Sequence, residues 1–161
     1  MDNNNSEKLD YYLSSLDELG ETLINHDQTD KVGMAILRLT LGTVMASKGA
    51  ILLFNKDSQS FYPLAVHGLK NPGQINYPNK FIKKMEKFSG SYLLSKNLKG
   101  LLSKDLKGVF DSLKGELIIP LFYRKIFFGV IIVSKKFMNV AYSNVEIKVL
   151  EIISNHLTNS I

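Results

Sequence analysis

Leu9, Tyr12, Leu13, Leu16, Leu19 and Leu23 follow one another at steps of three and four, the period of one apolar stripe on a helix. The spacing predicts a leading helix over residues 7–26, behind a polar, disordered tail at 1–6. Thr29 or Asp30 is placed to cap a second helix, whose apolar positions are Val32, Ile36, Leu39, Thr43 and Val44. After Gly49 the period changes. Residues 50–54 are a short apolar run closed by Asn55, Lys56, Asp57 and Ser58, the pattern of a strand buried on both faces. Residues 61–67 read as its hairpin partner, and Pro63, with no N–H to give a ladder, assigns that strand to an edge. Residues 69–79 hold Pro72, Gly73 and Pro78 and predict a loop.

Phe81, Ile82, Met85 and Phe88 mark a short amphipathic helix that turns Lys80, Lys83, Lys84 and Lys87 outward. A brief strand at 91–94 and a helical stripe of Leu102, Leu106, Val109 and Leu113 follow. The strongest strand signals are residues 116–122 and 126–134. They flank Tyr123, Arg124 and Lys125, so a tight antiparallel hairpin is expected. Ser143 and Glu146 form a capping box ahead of Val145, Val149, Ile152, Ile153, His156 and Leu157. That stripe is still running at Ile161, the sign of a helix leading into an output domain of a longer protein or pairing with a second copy.

The chain's 161 residues and 18.1 kDa suit one domain over 7–161, large enough to bury roughly 70% of its unfolded surface without a staple. Cysteine is absent, which removes disulfides, thiolate metal sites, cysteine nucleophiles and thioether-linked cofactors. The longest apolar runs, such as residues 126–133, fall far short of the ~20 residues a membrane helix needs. The polar start has no signal-peptide core, so a cytoplasmic protein away from membranes is expected.

Charge is unevenly placed. Residues 1–30 carry eight acids against Lys8, a net of −7, whereas residues 80–136 carry thirteen bases against four acids, a net of +9. The two regions could attract each other within or between chains, or the basic one could attract phosphate. Lysine supplies eighteen of the twenty bases, which fits a solvated face better than a guanidinium-lined anion site. No helix-turn-helix, arginine stripe or ribonucleoprotein aromatic motif points to nucleic acid. No metal-ligand spacing, P-loop, nucleophile elbow or paired carboxylates appear, so catalytic and metal-binding residues are expected to be absent; the residues single out no cofactor. Of the three histidines, His26 belongs to a loop and His156 to a helix stripe; His67 alone is placed for function.

The order helices, hairpin, irregular helical middle, hairpin, long helix resembles a GAF domain. The residues that carry the likeness are Ile118, Ile119, Pro120 and Leu121, then a short turn, then Phe128, Gly129, Val130, Ile131, Ile132 and Val133. They look like the family's paired "(I/V)PL…GVL" strands. Tyr142, four residues before Glu146, is similar to its "F-x-x-x-D" entry into the last helix. The early strand 50–54 and a partner ending in Val66, His67 and Gly68 match as well, so the likeness covers residues 27–161. It implies an α+β fold related to PAS domains, with a central antiparallel sheet of five to six strands in the order 2-1-5-4-3. The N- and C-terminal helices would cover one face, and short helices and loops would roof the other.

The resemblance further implies a small-molecule pocket under that roof. Alternation then turns Ala50, Leu52 and Phe54 into the pocket and Ile51 and Leu53 toward the helices. Val66 and His67 sit where the family places ligand contacts, and Phe81, Met85 and Tyr92 would close the cavity. Without cysteine, neither the family's free methionine sulfoxide reductase chemistry nor covalent bilin attachment is available. The cyclic-nucleotide signature N-K…F-D-E survives only as Ser134, Lys135, Tyr142 and Glu146, with a Lys135–Glu146 pair as its remnant. Two classes of function are implied. One is a non-enzymatic sensor relaying ligand binding through its terminal helices to an output domain. The other is a scaffold with a vestigial pocket, dimerising through helices 7–24 and 145–161.

Overall fold

The computed structural model describes residues 29–70, 72–73, 75–76, 79–98 and 100–160. The expected tail at 1–6 and leading helix at 7–26 lie outside these residues. The first described helix, α1 (Thr29–Val44), ends where Met45 turns into the left-handed region (φ 59°) and the Ala46 N–H reaches back to the Leu41 carbonyl at 3.0 Å. Two strands follow, β1 (Gly49–Asn55) and β2 (Ser60–His67), then a two-residue strand β3 (Ile75–Asn76). Next come α2 (Asn79–Glu86), β4 (Leu93–Leu94) and α3 (Lys104–Ser112), whose N-cap Ser103 accepts from the Leu106 N–H at 3.1 Å. The long hairpin β5 (Gly115–Tyr123) and β6 (Ile126–Ser134) leads into α4 (Asn144–Ser160).

All six strands join one antiparallel sheet in the order β3-β2-β1-β6-β5-β4. With β3 set aside, this is the expected order. The extra strand corrects the expectation of a loop at 69–79: Ile75 is buried and pairs with Phe61, and Asn76 pairs with Ser60. Pro63 lies beyond the two residues that pair with β3, so its missing N–H costs no bond to that strand. Pro120 is tolerated inside the sheet for the same reason, since β4 pairs only with Leu117 and Ile118. The second hairpin turn is shorter than the three residues expected: Tyr123 pairs with Ile126. Arg124 and Lys125 make the turn at φ 50° and 67°, both left-handed as a two-residue type I′ turn requires.

The sheet separates two apolar layers. Ile51, Leu53, Leu117, Ile119, Leu121, Ile131 and Val133 face α1 and α4, meeting Ile36, Leu37, Leu41, Val149, Leu150, Ile153 and Leu157. Ala50, Leu52, Ile118, Val130 and Ile132 face the roof of α2, α3 and their loops. Strict alternation accounts for most of this division; of the three register irregularities, two shift the phase of residues that pack in these layers. Ile51 pairs with Ala65 while Leu52 pairs with Pro63, so Leu64 is an extra residue and joins Ala65 on the helix side. Leu121 pairs with Gly129 while Phe122 pairs with Phe127, so Phe128 is extra and Phe127 moves to the roof side.

Candidate functional site

Ala50, Leu52, Phe81 and Met85 come together under the roof, each with no exposed surface, and half-buried Phe54 and Val66 pack at their margin. The space between them holds the protein's own rings. Phe61 lies 6.1 Å from Phe81 and 6.3 Å from Phe127, both edge to face, and Phe54 lies 5.9 Å from Phe61 and 5.7 Å from Phe127. Leu106, Val109 and Phe110 of α3, with Leu113 just after it, complete the roof. Phe61, Phe127 and Ile75 were absent from the residues singled out by sequence. Period-2 spacing from Phe61 would have been the signal for the first, but a bulge and a two-residue strand place the other two.

His67 and Tyr92 do not join this cluster. His67 ends β2 opposite Gly49, one residue out of phase with Val66, and is exposed. It lines a separate cleft of about 420 Å³ with Arg38, Leu41, Gly42, Ala46, Ser47 and Phe137. Adjacent residues on a strand face opposite sides of a sheet, so Val66 and His67 cannot both look under the roof. Tyr92 precedes β4 and is 37% exposed.

Two polar contacts tie this frame to α4. Ser91, in the segment between α2 and β4, donates from Oγ to Glu151 Oε1 of α4 at 2.5 Å. This joins the roof segment directly to the terminal helix on the other side of the sheet. At the start of α4 the capping box forms as expected: the Ser143 N–H donates to Glu146 Oε1 at 2.9 Å, and the Glu146 N–H donates to Ser143 Oγ at 3.2 Å. The expected Lys135–Glu146 pair is replaced by Lys136, whose Nζ lies 2.6 Å from Glu146 Oε2 and 2.7 Å from Oε1. The reason is the chain path beyond β6. Lys135 is exposed and gives its N–H to the Lys114 carbonyl, whereas Lys136 bridges to Ala46 and turns its side chain toward α4.

Burial by itself would raise the Glu146 carboxyl. The hydrogen bond from Lys136 and those involving Ser143 outweigh it, so the carboxyl titrates below the usual range. Tyr142 is shifted upward, chiefly by burial and then by the Glu146 and Glu116 carboxylates, and its hydroxyl donates to the Ser134 carbonyl at 2.6 Å. These groups brace the β6–α4 junction. Among the described residues no three histidine or acidic side chains are grouped to hold a metal ion, and no helix is long and apolar enough to cross a membrane.

Comparison of the whole structure with solved ones decides the fold. The GAF domain of an Acinetobacter phosphoenolpyruvate-protein phosphotransferase superposes with a TM-score of 0.66 at 13% identity, over 99% of this chain and 93% of that one. The fold is that of a GAF domain. Another match is the free methionine-R-sulfoxide reductase of Neisseria meningitidis, solved with its substrate: TM-score 0.65, 12% identity, 95% and 89% of the two chains. The phycoerythrobilin-bound GAF domain of a cyanobacterial phytochrome matches at TM-score 0.59 and 12% identity, over 99% and 95%. No family model and no curated protein matches the sequence. The GAF architecture is thus carried by burial pattern and topology at identities where few individual residues are shared.

Proposed function

We propose that residues 7–161 form a non-enzymatic GAF sensory domain of a longer cytoplasmic signalling protein, responding to a small apolar molecule. The observation that carries this reading is the Ser91–Glu151 hydrogen bond, which makes the segment after the roof helix a direct tether to α4. Ala50, Leu52, Phe54, Val66, Phe81 and Met85 would form the walls, all of them apolar. A ligand entering there must displace Phe81 and Met85, lifting α2 and pulling the 87–92 segment with it. The tether then shifts α4, and the displacement passes to whatever output domain follows. His67, on the far face, and exposed Tyr92 would act at the rim if at all. The cysteine-free composition supports a binding role over sulfoxide reduction by thiols.

A second reading has its own support. Phe81 and Met85 have no exposed surface, which favours a roof that stays closed over a scaffold domain. In that case the domain dimerises through residues 7–24 and 145–161. Within α4, Val149, Leu150, Ile153 and Leu157 already serve the core, so Val145, Ile152 and His156 would be its share of the interface. Native mass spectrometry of freshly purified protein, followed by thermal shift against small apolar metabolites, separates the two. The sensor gains roughly 2.7 kcal/mol at a hundredfold excess of ligand over Kd. It also shows altered hydrogen exchange in α4, an effect that Ser91→Ala abolishes while stabilisation persists. A scaffold carries no adduct and shows only concentration-dependent melting, and that outcome sinks the sensor.

A further inference from the structure

Lys80, Lys83, Lys84 and Lys87 stand at i, i+3, i+4 and i+7, so with 3.6 residues per turn they share an arc of ~100° along α2 and the turn after it. All four are exposed, while Phe81 and Met85 on the other side of the helix are buried. Among the described residues none of the four belongs to an ion pair; those pairs are Lys107–Asp111, Lys136–Glu146 and Lys148–Glu151. Glu86 is the only acid in α2 and lies to one side of the stripe. Lys96, Lys104 and Lys114 are exposed as well.

The chain contains a stripe of the opposite sign. Placed on a helix, Glu7, Asp10, Asp17, Glu18 and Glu21 also fall within an arc of ~100°, about 150° around from the centre of the Leu9, Tyr12, Leu13, Leu16, Leu19, Leu23 stripe. When the apolar face is buried, the acidic face looks outward. We propose that the α2 lysine stripe is the docking surface for the acidic face of residues 7–21 of a second copy of this chain.

Three observations support the contact, and the first of them favours a second copy. The leading segment enters the described structure at Thr29 of α1, which packs on the face of the sheet opposite α2, so its own roof lies across the whole sandwich. Among the described residues the four lysines have no carboxylate partner. The charge complementarity is large: residues 1–30 carry a net of −7 and residues 80–136 a net of +9. Lysine without arginine, and no aromatic among the four outward positions, suits a row of carboxylates better than stacked bases. The contact uses the acidic residues of 7–21 and none of the apolar ones, so it is independent of pairing through the apolar stripe.

The test mixes equal amounts of ¹⁴N- and ¹⁵N-labelled full chain and treats them with a carbodiimide, which joins touching lysines and carboxylates. Expected are mixed-isotope links between Lys80–Lys87 peptides and the acids of residues 7–21. Their yield should fall about fivefold between 0.05 and 0.5 M salt, as the screening length contracts to a few ångströms. The variant Lys80→Glu/Lys83→Glu/Lys84→Glu/Lys87→Glu, at exposed positions and checked for folding by its melting curve, should lose the links. Adding Asp17→Lys/Glu18→Lys/Glu21→Lys chain to it should restore them. The within-chain Lys107–Asp111 link reports that the reagent is active. Links confined to one isotope, links that survive the lysine reversal, or none while Lys107–Asp111 reacts, would each overturn the proposal. So would binding of the stripe to duplex DNA or anionic vesicles in place of the mixed links.

Discussion

At the scale of single residues, Glu146 and Gly129 show how much a position can carry. Glu146 accepts from Lys136 and from the Ser143 N–H at the mouth of α4, with both ends of the ion pair mostly shielded from water. Glu146→Gln removes the charge and leaves Lys136 without its counterion, and is expected to cost about 2 kcal/mol at pH 7 by urea denaturation. Because the folded state holds this carboxyl below its usual range, its contribution is complete above the unfolded pKa of ~4.3 and disappears as pH falls through the folded value. The gap between wild type and variant should therefore be constant near neutrality and close only in acid. Gly129 is needed for space. A Cβ there would sit 2.5 Å from the Leu52 carbonyl oxygen and 3.2 Å from the Leu53 Cα, and backbone atoms cannot swing aside. Gly129→Ala is expected to cost about 3 kcal/mol or to prevent folding, as read from the thermal midpoint and from circular dichroism.

At the scale of elements, α2 is a lid by placement and a core element by packing. Its eight residues bury Phe81 and Met85 and leave its lysines in water. Such a short helix is marginal alone and holds its place through those two side chains. Phe81→Ala should cost roughly 3–4 kcal/mol in denaturant titration and open an apolar void against Phe61 and Phe127. Benzene or xenon should restore part of that loss; no rescue would mean that the roof simply collapses inward. The sequence made α2, the capping box of α4 and the two-sided character of β1 legible, because each rests on a local period or cap. It did not disclose β3, since Ile75–Asn76 has no propensity signal and becomes a strand only where Phe61 and Ser60 offer an open edge. Nor did it place Lys136 over Lys135, a choice of adjacent residues settled by the turn leaving β6.

At the scale of the whole molecule, two layers on one sheet give the domain a front and a back that share every strand. The roof and α4 pack on alternate side chains of β5 and β6, and Ser91 joins the roof segment to Glu151 of α4. If the apolar side of residues 7–24 pairs two copies, Leu16→Lys/Leu19→Lys should give a monomer by light scattering; an unchanged dimer would remove the leading helix from the interface. The lysine-to-carboxylate contact proposed for the acidic residues of 7–21 is separable from such pairing, because salt weakens it and strengthens apolar pairing.

The amino-acid order by itself determined most of the described helices and strands, that one face of each strand differs from the other, and that thiol chemistry is absent. These are one-dimensional properties, set by spacing and residue type within a few turns of chain. Only the tertiary structure decided that Val66 and not His67 looks under the roof, that the roof is filled by Phe61 and Phe127, and that Ser91 meets Glu151 sixty residues away. Each depends on a bulge, a strand edge or a long-range crossing, where the phase of a strand or the partner of a side chain is fixed by another part of the chain.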